Sequence, residues 1–287
     1  MAPMSKVTVP ALRSHKVRNG KEPLVMITAY DAPGGRVAEE AQVDMVLVGD
    51  SLAMVVLGYD DTLQVSVEDI AHHTGAVARG GSGFLLVADL PWMSYHLSAE
   101  DTVRNAAKLI RAGAHAVKLE GGRKRVPMIE ALVAAEMPVM GHLGLTPQSI
   151  HAMGGFKVQA RESEAALQLV AEAKALEHAG CFSIVLEGVP DEVARMVTDA
   201  IGVPTIGIGA GRHCDGQVLV WHDVLGIEDR VSPKFVRRYA DLKTAAVDAV
   251  ATYASDVRSG AFPDASESYH LSADQAEALS LYGLAAD

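Results

Sequence analysis

The sequence has little of what marks secreted, membrane-spanning or nucleic-acid-binding proteins. Only two cysteines, Cys181 and Cys214, occur in 287 residues, which excludes a disulfide framework. No apolar run approaches the ~20 residues that a membrane-spanning helix needs, and the segment Met1 to Lys21 lacks the apolar centre of a secretory signal. The 25 Lys and Arg are outnumbered by 36 Asp and Glu and form no basic stripe. We therefore expect a cytoplasmic protein that binds neither membranes nor nucleic acids.

Short apolar runs separated by helical patterns account for most of the chain. The runs are rich in Val, Ile and Leu on successive residues, which is typical of parallel strands buried on both faces. They are Leu24–Ala29, Met45–Val48, Phe84–Ala88, Ala114–Leu119, Pro138–Gly141, Phe182–Leu186, Pro204–Ile208 and Val218–Trp221. Eight such units predict an α/β fold, a (β/α)8 TIM barrel, with an open doubly wound sheet as the alternative.

The chain shows no internal repeat and no low-complexity linker, so one domain with terminal extensions is the simplest division. We expect an N-terminal arm at residues 1–21, the barrel at 22–262, and a C-terminal tail at 263–287. A long helix is predicted over Val236–Ser255, and a short helix in the tail begins near Ser272. Ser66 and Ser98 each precede an acidic residue by three positions, the pattern of a helix capping box.

Three carboxylates follow three consecutive predicted strands, where the residues of a barrel face its active site. They are Asp50, Asp89 and Glu120. Unpaired carboxylates this close would repel one another, so a compensating cation is expected. Oxygen ligands without a Cys or His cluster favour a hard ion, and Mg²⁺ fits best. The alternative is that each acid caps a helix or pairs with a nearby Lys or Arg.

Two further charged residues are predicted at the same rim. Lys118 precedes Glu120 by two positions, which places both on one strand face. Lys118 could bind a substrate carboxylate or stabilise an enolate, or form a structural ion pair with one of the acids. Glu187 closes an apolar strand, and a carboxylate at an apolar mouth suits a general base. A salt-bridged glutamate is the alternative there.

Other strand-end features allow two interpretations each. His142 could bind substrate through a hydrogen bond or be a core histidine. The run Gly207–Gly211 could hold an anion with its backbone amides or simply permit tight packing. Cys214 has no nearby base in the sequence, so we do not expect a nucleophile there.

A divalent ion, a lysine and a base at one mouth suit a substrate that chelates metal through adjacent oxygens, as a 2-oxo acid does. The residues thus predict metal-assisted enolisation of a 2-oxo acid. They do not name the electrophile that the enolate attacks.

Five segments in register resemble the motifs of one enzyme family. They are Val48–Leu52, Ala88–Pro91, Val117–Gly122, Gly141–Ser149 and Gly207–Gly211. On these motifs, which span about Lys16 to Tyr239, the chain resembles the ketopantoate (3-methyl-2-oxobutanoate) hydroxymethyltransferase family. Ala53 and Gly188 depart from the familiar pattern, in which Gly and Cys are expected.

The resemblance implies a barrel of the phosphoenolpyruvate/pyruvate type and a Mg²⁺-dependent homo-oligomer, decameric in many bacterial members. The implied reaction transfers a hydroxymethyl group from 5,10-methylenetetrahydrofolate to 3-methyl-2-oxobutanoate, in pantothenate and coenzyme A biosynthesis. No basic cluster for the folate tail is evident, although Arg36, Arg123 and Lys157 are candidates.

By the same resemblance, Asp50, Asp89 and Glu120 match the metal site. Ser51 and Lys118 match groups that hold the oxo acid together with Asp50 and Asp89, and Glu187 matches the proton acceptor.

Two other classes of function are alternatives to this interpretation. A lyase or mutase of the same superfamily would also use Mg²⁺ and an enolate, and a thiol-dependent lyase would need a Cys on a mouth loop. A non-catalytic barrel would use the acids structurally.

Overall fold

A computed structural model of the chain describes residues 7–228, 230 and 233–280. These residues form two compact units, of which the first ends at Tyr239 and the second begins at Ala240. The first unit contains every strand and every predicted site residue.

Eight parallel strands close into a barrel in sequence order, with β8 paired to β1. The strands are β1 Leu24–Thr28, β2 Met45–Val48, β3 Leu85–Asp89, β4 Ala116–Glu120, β5 Val139–Gly144, β6 Ser183–Glu187, β7 Thr205–Ile208 and β8 Gly216–Leu219. The predicted TIM barrel is confirmed, and the open-sheet alternative is wrong. The eighth strand ends two residues earlier than predicted, because Trp221 already opens a helix.

Alternation along each strand divides the apolar side chains into two clusters. Met45, Val87, Met140 and Val185 belong to a cluster inside the barrel. Their strand neighbours, such as Val46 and Ile184, belong to a larger cluster that packs against the surrounding helices. Because the side-chain period of a strand is two, the inner residues fix which strand-end side chains also face inward.

Helices occupy the connections between strands. In the barrel unit they are α1 Val9–Arg13, α2 Ala32–Glu40, α3 Leu52–Val55, α4 Val67–Ala78, α5 Ala99–Ala112, α6 Val126–Ala134, α7 Ile150–Met153, α8 Ser163–His178, α9 Asp191–Ala200 and α10 Trp221–Leu225. Ser66 and Asp69 form the complete capping box predicted for α4. At α5, the Ser98 hydroxyl accepts a hydrogen bond from the Asp101 amide, and Gly113 ends the helix in a left-handed conformation.

The prediction of a separate N-terminal arm is wrong for residues 7–21; the first six residues lie outside the described part. Leu12 is buried in the cluster inside the barrel. The Lys16 ammonium donates hydrogen bonds to the Asp215 carboxylate (2.6 Å) and to the carbonyl oxygens of Thr198 (2.9 Å) and Val203 (3.2 Å). Since Asp215 directly precedes β8, this buried pair joins the segment to the N-terminal end of the barrel.

The second unit contains α11 Leu242–Ser259 and α12 Ala273–Ser280. The first unit thus ends at Tyr239, whereas the prediction extended the barrel to residue 262 and included α11. Its Ala- and Val-rich pattern resembles that of a barrel helix, yet none of its side chains is buried. The predicted short helix in the tail is confirmed as α12, and residues 281–287 lie outside the described part. Among the described helices, none is long and apolar enough to cross a membrane.

Candidate active site

The strand register brings the predicted site residues to one end of the barrel. Asp89 ends β3 and lies opposite Lys118 of β4, while Glu120 lies opposite His142 of β5. Each of these residues is an even number of positions from an inward-facing apolar residue on its own strand, so their side chains enter the barrel interior. Glu187 ends β6 and lies opposite Gly144 at the same rim.

Asp50 and Asp89 form a buried acidic pair. The backbone N–H of Asp50 donates to Asp89 Oδ2 over 3.0 Å, and the two residues are 5% and 2% exposed. Burial, together with the negative charges of Asp89 and Glu120, raises the pKa of Asp50 well above its usual range. Burial also raises the pKa of Asp89, although Lys118 partly offsets it. This electrostatic imbalance favours binding of additional positive charge.

Lys118 supplies part of that positive charge. Its Nζ lies 3.0 Å from Asp89 Oδ1, so the ion pair proposed as its structural alternative is present. Burial lowers the pKa of Lys118, but the surrounding carboxylates, Asp89 foremost, outweigh it and keep that pKa above its ordinary value. The ammonium therefore stays charged inside the barrel, where it can also attract an anionic substrate.

His142 links two glutamates. Its Nδ1 lies 3.3 Å from Glu120 Oε1, and its Nε2 lies 3.2 Å from Glu187 Oε2. Burial and Lys118 lower the pKa of His142, but the two glutamates outweigh them and raise it to about 9. Burial likewise raises the pKa of Glu120, and the opposing effect of His142 and Lys118 leaves it below its ordinary value. The His142 ring thus has a carboxylate on each side, and the Lys118 ammonium lies 3.2 Å from its Nδ1.

Glu187 differs from the other acids in its access to solvent. Its side chain is 16% exposed, whereas those of Glu120 and Asp89 are each 2% exposed. The His142–Glu187 contact is short, but Nε2 is not aligned to donate a hydrogen bond. Loose contacts of this kind are common in catalytic sites before substrate binds. Glu187 is accordingly the acid best placed to meet a substrate.

Gln148 and Tyr95 belong to the site, although the sequence analysis assigned them no role. Gln148 Nε2 donates to Asp50 Oδ2 (2.8 Å), and its backbone N–H donates to Glu120 Oε2 (3.0 Å). The Tyr95 hydroxyl donates to Gln148 Oε1 over 2.6 Å. The only signal in the sequence is the position of Gln148 within the run Gly141–Ser149, which the resemblance had already marked.

Ser51 lies at the edge of the acidic pair. Its hydroxyl is 2.9 Å from the Tyr30 hydroxyl, and a Cβ added at Gly49 would approach the Ser51 hydroxyl to 2.9 Å. A glycine at 49 thus leaves room for the Ser51 hydroxyl next to the Asp89 carboxylate. Behind Tyr30 lies a cavity of about 140 Å³, whose lining includes Asp31 and Trp221.

Gly144 allows close contact between the ends of β5 and β6. Its φ is +92°, and an added Cβ would collide with the backbone oxygen of Glu187. Only glycine combines this backbone conformation with this approach at low cost. The position of the Glu187 backbone therefore depends on Gly144.

Side chains from other segments pack against the glycine run at the end of β7. Added Cβ atoms would meet the Phe235 ring at Gly209 and the Asp191 side chain at Gly211. An acidic side chain against these backbone groups opposes anion binding. The packing interpretation of Gly207–Gly211 therefore fits the structure, and the anion-binding one does not.

The two cysteines lie away from the site. Cys181 precedes β6 and Cys214 precedes β8, so both are at the N-terminal end of the barrel. Burial raises the pKa of Cys181 to about 12 and that of Cys214 to about 11, which keeps both as thiols at neutral pH. A lyase mechanism that uses a thiol at the barrel mouth has no candidate residue.

The acidic pair has groups that fit a divalent cation. Asp89 Oδ1 is buried and, apart from its ion pair with Lys118 at 3.0 Å, receives no hydrogen bond within the described part of the chain. Carboxylate oxygens are the ligands that Mg²⁺ prefers. Glu120 already accepts from Gln148 and His142. Across residues 7–228, 230 and 233–280, no three Cys, His, Asp or Glu side chains form a ready-made ion site. Mg²⁺ needs only one or two carboxylates plus water and substrate oxygens. The residues therefore fit the ion, and the three-acid ligand set stays a prediction.

The solved structures that resemble the chain are barrels of related architecture. Phosphonopyruvate hydrolase, solved as a complex with oxalate and Mg²⁺, superimposes with a TM-score of 0.58 at 18% identity, over 90% of this chain and 92% of that one. 2,3-Dimethylmalate lyase, a member of the PEP mutase/isocitrate lyase superfamily, gives a TM-score of 0.58 at 20% identity, over 88% and 89%. At these identities the likeness shows the fold alone.

Sequence comparison is more specific. A protein from Bradyrhizobium diazoefficiens named 3-methyl-2-oxobutanoate hydroxymethyltransferase 2 is 52% identical over 94% of this chain and 91% of its own length. The 3-methyl-2-oxobutanoate hydroxymethyltransferase of Moorella thermoacetica is 53% identical over 94% of this chain and all of its own. The family model for ketopantoate hydroxymethyltransferase matches residues 6–265. The chain therefore belongs to the ketopantoate hydroxymethyltransferase family.

Proposed function

We propose that the protein transfers a hydroxymethyl group from 5,10-methylenetetrahydrofolate to 3-methyl-2-oxobutanoate and so forms 2-dehydropantoate (ketopantoate) for pantothenate and coenzyme A synthesis. The observation that carries the proposal is the arrangement of Glu187. This partly exposed carboxylate lies beside His142 and faces the interior that holds Asp50, Asp89 and Lys118. Membership of the family supports the choice of substrate. We further propose that the protein is a cytoplasmic homo-oligomer, a decamer as the family motifs imply.

Asp50 and Asp89 would hold Mg²⁺, with Glu120 as a third acid close by. When bound, the ion supplies Lewis acidity that polarises the keto oxygen of the substrate. Lys118 contributes a fixed positive charge next to Asp89, where it favours the carboxylate of the oxo acid. Ser51, at the edge of the pair, is placed to hydrogen-bond the same substrate.

Glu187 accepts the proton from C3 of the oxo acid. The electron pair of the broken C–H bond then forms the C2–C3 double bond of the enolate. His142 Nε2, 3.2 Å from Glu187 Oε2, keeps the carboxylate of Glu187 in place from one side. The methylene carbon arrives bound to two folate nitrogens, and water supplies the oxygen of the new hydroxyl group: its addition breaks both C–N bonds, so that tetrahydrofolate leaves and the carbon remains as formaldehyde. C3 then attacks this carbon as the C2 carbonyl re-forms, and the proton held by Glu187 passes to the former formaldehyde oxygen.

A product assay tests the proposed function. Purified protein is mixed with 3-methyl-2-oxobutanoate, 5,10-methylenetetrahydrofolate and Mg²⁺, and ketopantoate is measured by mass spectrometry. Glu187→Gln removes the base and should lower kcat by at least about 100-fold, within the range that general bases contribute. The matched control is Glu192→Gln, since Glu192 is an exposed residue of α9. Product formation that is equal in the Glu187 variant and the wild type would overturn the proposal.

A further inference from the structure

Gln148 connects two of the three acids at the barrel mouth. It lies in a short helical turn, Pro147–Ser149, which begins three residues after the end of β5. The first N–H groups of such a turn have no partner within it, and the N–H of Gln148 donates instead to Glu120 Oε2. The side chain extends the other way, and Nε2 reaches both Asp50 Oδ2 (2.8 Å) and the carbonyl oxygen of Leu90 (3.0 Å). Gln148 is 5% exposed.

The donors and acceptors around Gln148 allow its side-chain amide only one orientation. The backbone N–H of Glu120 donates to the Tyr95 oxygen over 3.2 Å, so the Tyr95 hydrogen is free to point elsewhere. It points to Gln148 Oε1, 2.6 Å away. The amide NH₂ must then face Asp50 and Leu90, whose oxygens accept. The Leu90 carbonyl oxygen can only accept, so it fixes which end of the Gln148 amide meets Asp50, and the Tyr95 hydroxyl holds the opposite end.

We propose that Gln148 is a positioning residue for the divalent-cation site, which it serves by holding the Asp50 carboxylate in one orientation through Nε2. The inference rests on the proposed function, because it assumes that Asp50 and Asp89 bind the ion. The hydrogen bond from Nε2 uses one lone pair of Asp50 Oδ2 and leaves the other carboxylate oxygen of Asp50 for the cation. Buried partners of this kind orient metal ligands, and their loss usually weakens metal affinity about 10- to 100-fold.

Replacement of Gln148 should therefore act on the cation rather than on the fold alone. Gln148→Met keeps the length of the side chain and removes both polar ends. Tyr95→Phe removes only the hydroxyl that holds the opposite end of the amide, so its effect on metal affinity should be smaller. Gln168→Met is the matched control, because Gln168 is an exposed residue of α8 and the chemical change is the same.

The experiment is isothermal titration of Mg²⁺, and separately Mn²⁺, into chelator-treated full-length protein, with thermal unfolding of each variant in chelator. We expect Gln148→Met to raise the Kd for Mg²⁺ at least about 10-fold and Tyr95→Phe to raise it less, with Gln168→Met unchanged. In turnover, saturating Mg²⁺ should restore most of the kcat of Gln148→Met.

The outcomes separate the two proposals. Wild-type protein that binds no Mg²⁺ or Mn²⁺ would overturn the cation site and, with it, the role of Gln148. Wild-type binding with an equal Kd in Gln148→Met would overturn only the positioning role, even where that variant has a lower Tm. Where Gln148→Met does not fold, Tyr95→Phe decides the question, and an unchanged Kd there would count against the proposal.

Discussion

The buried pair of Lys16 and Asp215 should stabilise the barrel from the end opposite the active site. Lys16→Met removes an ammonium whose side chain is 2% exposed. Loss of one partner from a buried ion pair costs about 3–5 kcal/mol. Asp215 would retain hydrogen bonds from the backbone N–H groups of Val17 (2.9 Å) and Thr205 (3.0 Å), which favours the lower part of that range.

The assay is thermal and denaturant unfolding followed by circular dichroism. A loss of about 3–5 kcal/mol corresponds to a fall in Tm of roughly 6–20 °C, at about 2–4 °C per kcal/mol for a domain of this size class. The control is Lys21→Met, because Lys21 is exposed. The kcat at 25 °C should be unchanged, since Lys16 lies far from the catalytic end. A loss below about 1 kcal/mol, the scale of an exposed ion pair, would refute the reasoning.

Three further predictions concern the site. Asp89→Ala should raise the Mg²⁺ concentration needed for half-maximal activity at least about 10-fold. An unaltered Mg²⁺ titration would reject Asp89 as a ligand. The pKa of His142 is raised from 6.5 to about 9 in the folded protein. Protonation of His142 therefore adds to the free energy of unfolding of the metal-free protein, fully below pH 6.5, and this contribution is lost as the pH rises to 9. The change is about 3 kcal/mol, and His142→Asn should abolish it in urea titrations across that range. Gly144→Ala should displace the Glu187 backbone and lower kcat more than it raises KM; wild-type kcat would contradict this.

Strand periodicity was enough to predict the fold and the convergence of the charged residues. Eight apolar runs gave the barrel, and the two-residue spacing of Lys118 and Glu120 correctly placed both on one strand face. The end of β8 was less clear, because Trp221 continues the apolar run although it belongs to α10. The first unit ends at Tyr239 rather than at residue 262, because the composition of α11 alone does not show to which unit a helix belongs.

The contacts that complete the site and close the opposite end of the barrel join residues that are distant in the sequence. Gln148 and Asp50 are 98 positions apart, and Lys16 and Asp215 are 199 apart. Neither pair leaves a local pattern, so a single sequence gives no reason to connect them. The sequence allows two interpretations of His142, because the surroundings of its ring depend on Glu120 and Glu187, which only the folded barrel brings to it.

Proton exchange at C3 of 3-methyl-2-oxobutanoate tests the central claim most directly. The protein is incubated with the oxo acid in D₂O, with Mg²⁺ or with a chelator, and exchange is followed by NMR. A parallel sample contains a non-reactive folate analogue, in case the second substrate must bind first. We predict exchange that requires Mg²⁺ and is lost in Glu187→Gln. Undiminished exchange in that variant, or binding of the oxo acid without exchange even with Mg²⁺ and the analogue, would contradict the account.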